Sequence, residues 1–313
     1  MKRQGRTAAW VWLLLPVLAW TGCRPKEDAG KPPPEDWVSG NIHISCDESF
    51  KPVIDQQVAV YESLYPAAHI IVHYKPEAEC LRDFGVDSIR LVIATRGFSE
   101  PERRFMADSM DVAPQQLVVA HDLIAVVVHP SAKDTFFNMQ EIRDLLTGKT
   151  KENLIPVFDG VRATSTVRFM LDSVLRGAPF GSHVAAAQSS LGVLDYVSRT
   201  PNAVGFVGFS WIGNPDDSSQ RAAMKKVRTA YVESTDSAGA YVSPSQYFIY
   251  TKTYPMVRDL VYVLKERPNG LAHGFANFLS SMPGQLIFRR GYLMPVILPN
   301  YVRDARLQDT INK

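Results

Sequence analysis

Apolar and polar positions alternate along this chain with two periods, and the order in which those periods succeed one another predicts its elements. Ile42-His43-Ile44 has the every-other-residue pattern of a strand and stops at Cys46-Asp47-Glu48-Ser49. From Pro52 to Tyr65, Val53, Val58, Tyr61, Leu64 and Tyr65 recur near helical spacing, and Pro66 closes the segment. His69 to Tyr74 reads as a second strand, with a second helix from about Glu77; Ser88 to Thr95 is a buried strand, and Glu100 to Ser109 is helical. Strand and helix in strict turn are the mark of a largely parallel α/β sheet.

The pattern continues with His121 to His129 as a strand and Met139 to Leu146 as a short helix ending on Gly148. Ile155 to Phe158 reads as a short strand that Pro156 would confine to an edge. Thr164-Ser165-Thr166 leads into a helix from Val167 to Leu175. Ala203 to Phe209 and Tyr241 to Tyr250 return to strand, and Leu271 to Leu279 to helix. Internal repeats and low-complexity segments are missing.

The first residues change the picture of where this domain works. Lys2, Arg3 and Arg6 precede Ala8 to Trp20, a stretch without a charged or polar side chain. Thirteen residues suit a signal-peptide core of roughly seven to fifteen and fall short of the about twenty that span a bilayer. Thr21-Gly22-Cys23 follows and resembles the lipobox of bacterial lipoproteins, with Trp20 where that family usually has Leu. The resemblance implies cleavage after Gly22 and lipidation of Cys23, palmitate included. Residues 24–36 (RPKEDAGKPPPED) carry no apolar side chain larger than Ala or Pro and read as a tether stiffened by Pro32, Pro33 and Pro34. Lys26-Glu27-Asp28 resembles the short signals that send some Bacteroidetes-type lipoproteins to the cell surface.

Charge and motif searches narrow the function. The formal net charge is +2, and loss of residues 1–22 with their three basic side chains leaves −1. No basic excess remains to bind nucleic acid. The seven histidines are scattered, without HExxH, GxSxG or a Gly-rich phosphate loop, so neither an enzyme nor a metal site is indicated. His69 and His73 share a strand face but stand too far apart along it to hold one metal easily.

Several pieces, taken in order, resemble the phosphate-binding proteins of the phosphate ABC importer family, within the type II periplasmic solute-binding fold. They are Glu48-Ser49-Phe50-Lys51-Pro52 after the first strand, Leu91 to Arg96, His121 to Ala125, Ile142 to Lys149 with its Thr-Gly-Lys ending, Asn202 to Gly208, Gly284-Gln285 and Gly291-Tyr292. The resemblance implies an α/β, two-lobed fold, each lobe a mostly parallel sheet flanked by helices, with the ligand cleft between. Its expected divisions are signal peptide 1–22, tether 23–38, lobe 1 over 39–118, lobe 2 over 119–235, a return to lobe 1 over 236–303, and a tail 304–313. A tetrahedral oxyanion, most simply phosphate, would be held by hydroxyls and by helix starts whose free N–H groups favour negative charge. The implied ligand residues are Glu48, Ser49, Phe50, Glu77, Thr95, Arg96, Arg162, Thr164, Ser165 and Thr166, with no catalytic residue, cofactor or metal. Implied too are a monomer in the cell envelope, on the periplasmic face or the cell surface, and a partnership with an ABC permease or an outer-membrane transport complex. The alternative is a lipoprotein of the same fold that acts as a sensor or accessory subunit and binds a protein partner.

The sequence departs from that family at three places. The Gly/Ser-rich second loop is replaced by Lys75-Pro76-Glu77-Ala78-Glu79, the acidic acceptor after the third strand by Arg96, and the anchoring Arg before the Ser-Gly-Thr loop by Phe158-Asp159-Gly160, with Arg162 and Arg168 nearby. Either Arg96 anchors the anion with Glu77 or Glu79 orienting it, or Arg96 and one of those carboxylates form a structural pair. Cys46 and Cys80 lie toward one sheet edge and are candidates for a disulfide.

Overall fold

A computed structural model of the chain describes residues 36–298 except 111–112, 151–152, 161–162 and 266–267. The signal peptide, Cys23, Arg162 and the 304–313 tail lie outside the described residues. Lobe 1 opens with β1 (Gly40–Asp47), α1 (Lys51–Leu64), β2 (Ala68–Lys75), α2 (Glu77–Asp83), β3 (Ile89–Ala94) and α3 (Glu100–Met110). β4 (Gln115–Val128) then runs on into lobe 2, which holds β5 (Phe136–Phe137), α4 (Met139–Thr147), β6 (Ile155–Phe158), α5 (Ser165–Phe169) with a π-helical turn at Met170–Val174, β7 (Ala185–Ala186), α6 (Ser190–Arg199) and β8 (Ala203–Gly208). After α7 (Ser218–Met224), β9 (Arg228–Thr229), β10 (Tyr231–Glu233), β11 (Tyr241–Val242) and α8 (Gln246–Tyr250), the chain returns through β12 (Val257–Leu264), α9 (Leu271–Ser280), α10 (Met282–Arg290) and β13 (Met294–Pro295).

Local chemistry explains many of these boundaries. Pro52 stands in the first turn of α1, where its missing N–H costs nothing, and Val53, Ile54, Gln57 and Tyr61 form the buried stripe. α4 begins on a capping box in which Asn138 and Glu141 satisfy each other's backbone N–H groups, and ends on Gly148 at φ 77°, a left-handed position that suits glycine. Both lobes share one sheet path, β2-β1-β3-β12-β4-β8-β6-β7. β1 is parallel to β2 and β3, and β6 is parallel to β7 and β8, whereas β12 and β4 pair antiparallel at the centre. Each lobe has its own core, Ile42, Ile44, Phe50, Phe275 and Phe288 in lobe 1 and Val126, Phe158, Val193 and Phe206 in lobe 2. No helix among the described residues is long and apolar enough to cross a membrane.

Four expectations need correction. Tyr241 to Tyr250 is not one strand: Pro244 interrupts it, and Gln246–Tyr250 turns helical despite its aromatic, β-favouring side chains. β12 is hidden from a pattern reading because Arg258 and Asp259 break its apolar run, yet it lies in the middle of the sheet. β6 is not an edge strand. Ile155 N–H bonds toward β8, so Pro156 faces the other side, where β7 pairs only from Val157 onward and no N–H is needed. The return to lobe 1 comes later than residue 236, because Val242, Ile249, Tyr254 and Met256 still pack in the lobe 2 core.

Cys46 and Cys80 are both free and fully buried, not bridged. Burial pushes both thiols above their ordinary range. In the native domain after Cys23, neither should react with a thiol reagent at mildly alkaline pH, and both should react once it is denatured without reductant. No reactive thiol after denaturation would restore the disulfide.

Candidate functional site

The chain crosses between lobes on two neighbouring strands, and a charged side chain stands on each at the crossing. Asp122 of β4 and Arg258 of β12 are direct register partners. Their side chains are almost fully buried, 0% and 2% exposed, and the Arg258 Nε and Nη2 both donate to Asp122 Oδ2, at 3.0 and 2.8 Å. Gly208 of β8 makes room, since a Cβ there would sit 2.5 Å from Arg258 Nη2. The Phe50 ring lies 5.2 Å from the guanidinium on another side.

The remaining arm of Arg258 reaches lobe 2. Nη1 donates to Ser165 Oγ at 2.9 Å and to Thr166 Oγ1 at 3.3 Å, at the start of α5. Ser165 Oγ in turn lies 3.3 Å from Ser49 Oγ of lobe 1. Three hydroxyls and a guanidinium thus converge from both lobes, beyond the carboxyl ends of β1 and β6. In open α/β sheets this is where ligands bind. Thr164 caps α5 through its hydroxyl, which accepts from Val167 N, and Ala163 before it sits at φ 72°, strained for a side chain other than glycine.

Two buried carboxyls border the cluster. Asp47 Oδ1 accepts from Ser49 N at 3.0 Å, and Asp159 Oδ2 lies 3.5 Å from Thr166 Oγ1. Among the described residues, Asp47 Oδ2 and Asp159 Oδ1 are buried and have no hydrogen-bond partner. Burial, reinforced by nearby Glu77 and opposed by Arg258, pushes Asp47 up to about 7. Burial also raises Asp159 and Asp122 above the ordinary carboxylate range.

Further contacts tie the lobes on either side. Glu77 is buried at 2% exposure; Arg168 Nε donates to it at 2.6 Å, and the Thr95 N–H and hydroxyl donate to its Oε1. Burial alone would raise Glu77, but the Arg168 and Thr95 hydrogen bonds outweigh it and hold the carboxyl below its usual value. Ala78 N donates to the Ala163 carbonyl at 3.0 Å. Across the cluster, Ser190 donates to Glu48 at 2.7 Å, and Ser210 donates to the Ser49 carbonyl.

Of the residues marked from the sequence, Ser49, Phe50, Ser165 and Thr166 meet around Arg258, with Thr164 capping the same turn. Glu48, Glu77 and Thr95 bridge the lobes at its margins. Arg96 does not reach the Arg258 cluster: it is over a third exposed and donates to Glu102 and to the Gly97 carbonyl rather than to Glu77 or Glu79, although it lines a hollow of about 260 Å³ beside Glu77, Thr164 and Arg168. Arg258, Asp122, Asp47 and Asp159 went unmarked. A signal existed, because each charge interrupts or ends an apolar strand run, where a lone charge is costly unless paired.

A two-lobed sheet with hydroxyls and a buried cation converging between the lobes defines a cleft-type solute-binding protein. Residues 31–282 match the family model of the PBP superfamily domain, and the chain belongs to that superfamily. Phosphate-binding protein PstS of Pseudomonas aeruginosa is 20% identical over 281 residues, covering 82% of this chain and 83% of that protein. A phosphate ABC transporter substrate-binding protein of Clostridium perfringens, solved with bound phosphate, superposes with a TM-score of 0.68 at 18% identity, over 82% of this chain and 100% of its own. An ABC-type phosphate transport receptor of Vibrio cholerae gives 0.59 at 17%, over 82% and 100%. At such identities the two structures establish a shared fold.

Two measurements test this electrostatic arrangement. Asp122→Ala strands a buried guanidinium and should lower urea-unfolding stability by about 3–5 kcal/mol, whereas Asp122→Leu with Arg258→Met should recover most of it. Equal losses in the two proteins would mean that the pair is not a unit. Asp47 holds its proton more tightly folded than unfolded, so the stability associated with that proton is present below its ordinary 3.8 and lost as pH rises through about 7. The melting-temperature difference, wild type minus Asp47→Asn, should therefore fall between about pH 4 and about pH 8; a flat difference would exclude the raised carboxyl.

Proposed function

We infer that this chain is a solute-binding protein that captures phosphate in the interlobe cleft for uptake by an ABC importer, and that it is held to the cell envelope by lipid on Cys23. The observation that carries the reading is the convergence of Ser49, Ser165, Thr166 and Arg258 from two lobes on one point. A guanidinium and three hydroxyls supply donors, and the tetrahedral oxyanion is the ligand shape that accepts from several directions at once. Where Asp47 and Asp159 are ionised, their oxygens without a partner among the described residues favour an oxyanion that itself carries a proton, since a hydroxyl can donate to them and a fully deprotonated sulfate cannot. These carboxylates supply the acceptor that Arg96 displaced from the end of β3.

In this reading Arg258 takes the anchoring role, and Arg96 stands aside on Glu102. The names of the similar proteins support phosphate as ligand and an ABC importer as destination. The thirteen-residue apolar run and Thr21-Gly22-Cys23 support the lipid anchor. Glu77–Arg168 and Glu48–Ser190 support cleft margins that close over the ligand.

The test is titration calorimetry of the domain with phosphate and with sulfate. One phosphate should bind per chain and sulfate should bind far more weakly. Arg258→Lys should weaken phosphate by about ten- to a hundredfold per folded molecule, the worth of a charge-assisted contact of about 1.5–3 kcal/mol. Arg96→Ala, which removes only a partly exposed pair, should change affinity by less than about twofold. A folded protein silent to phosphate would turn the reading toward a protein-binding lipoprotein.

A further inference from the structure

The end of lobe 1 opposite the cleft carries an apolar face that the binding function does not use. Trp37 and Val38 stand just before β1, and Leu64 and Tyr65 at the end of α1; they are 48%, 39%, 54% and 36% exposed, with Met282 at the start of α10 at 42%. The first four rim a hollow of about 340 Å³ over the buried Tyr61 and Phe278, with Asn277, Ser281 and Pro283 also in its wall, and no Asp, Glu, Lys or Arg among the described residues lines it. The face is built rather than incidental. Tyr61 donates from its hydroxyl to the Trp37 carbonyl, the Trp37 ring stacks on His273 at 6.0 Å, and Gly274 leaves α9 without a Cβ that would collide with the Trp37 backbone. The indole is thus held at its backbone while its ring is half in solvent.

We propose that this face rests on the interface of a lipid bilayer, a reading that depends on the lipid anchor at Cys23. Trp and Tyr have an apolar body and a polar edge and favour the headgroup level, while Leu64 and Val38 suit the acyl boundary. The position agrees. Trp37 is fourteen residues from Cys23, so the chain can reach at most about 50 Å from the lipid, and the face lies where that tether joins the domain. Residues 24–36 hold no apolar side chain larger than Ala or Pro and are poorly suited to fill the hollow themselves. β1 runs from Gly40 beside this face to Asp47 at the cleft, eight residues or about 25 Å away, so docking leaves the anion site turned toward the aqueous phase. Lipid on Cys23 supplies the attachment, and the patch sets the orientation.

After residue 22 the chain has only two tryptophans, Trp37 and the buried Trp211, so fluorescence reports on this face with an internal control. The lipidated protein is reconstituted in phosphatidylcholine vesicles made with and without acyl-brominated lipid, which quenches indole at the interface. Trp37 emission should shift to shorter wavelength on vesicles and lose intensity on brominated ones. Trp37→Phe should abolish the loss, and Leu64→Asp with Tyr65→Asp should remove it while the protein stays vesicle-bound. Bound protein with equal emission on both vesicles overturns the docking and leaves the anchor standing. Protein that washes off in salt overturns both. Emission that changes with protein concentration in the absence of vesicles assigns the face to a second copy of the chain and likewise overturns the proposal.

Discussion

The Arg258–Asp122 pair is the constraint around which the domain is arranged. It stands where the two crossing strands lie side by side, so the same side chains belong to the boundary of both cores and to the hydroxyl cluster. A buried pair of this kind is a poor source of net stability, because desolvation offsets most of the attraction. What it supplies is placement. Asp122 holds two arms of the guanidinium, Phe50 covers its face, and Gly208 stays small, so that Nη1 can point only at Ser165 and Thr166. A cation fixed in advance loses little entropy when an anion arrives, which is what preorganisation means in a binding site.

The residues that meet at the cluster are not those that the family resemblance implied. The loop after β2 presents Glu77, not a glycine-rich nest, and Glu77 binds Arg168 of the other lobe. The cation of the site comes from β12 and the acceptors from the ends of β1 and β6. Positive charge in the cleft is therefore flanked by three carboxyls that burial raises, Asp47, Asp122 and Asp159. In such a setting a buried acceptor left unmatched is costly.

Two faces of lobe 1 are linked through its first strand and helix. β1 and α1 each have one end at the cleft and the other at the face around Trp37, so a single strand–helix unit joins Ser49 of the hydroxyl cluster to that apolar face.

The two-lobed class came with the family resemblance; read alone, the sequence settles the alternation of strand and helix, the helix ends at Pro52 and Gly148, and Ser49 and Thr164 to Thr166 at helix starts. These rest on local rules of period, capping and charge, which act between residues a few positions apart. Only the tertiary structure decided which cation faces those hydroxyls. Arg96, at a strand end, and Arg258, inside an apolar run, are equally plausible in one dimension. Their partners are decided by register, because pairing β12 with β4 sets Arg258 against Asp122, 136 residues away, while Arg96 meets Glu102 six residues on. The same long-range pairing turned Gln246–Tyr250 into a helix and placed β12 at the centre of the sheet. Contacts between distant segments carry no local signature, and the chemistry of this cleft is made of such contacts.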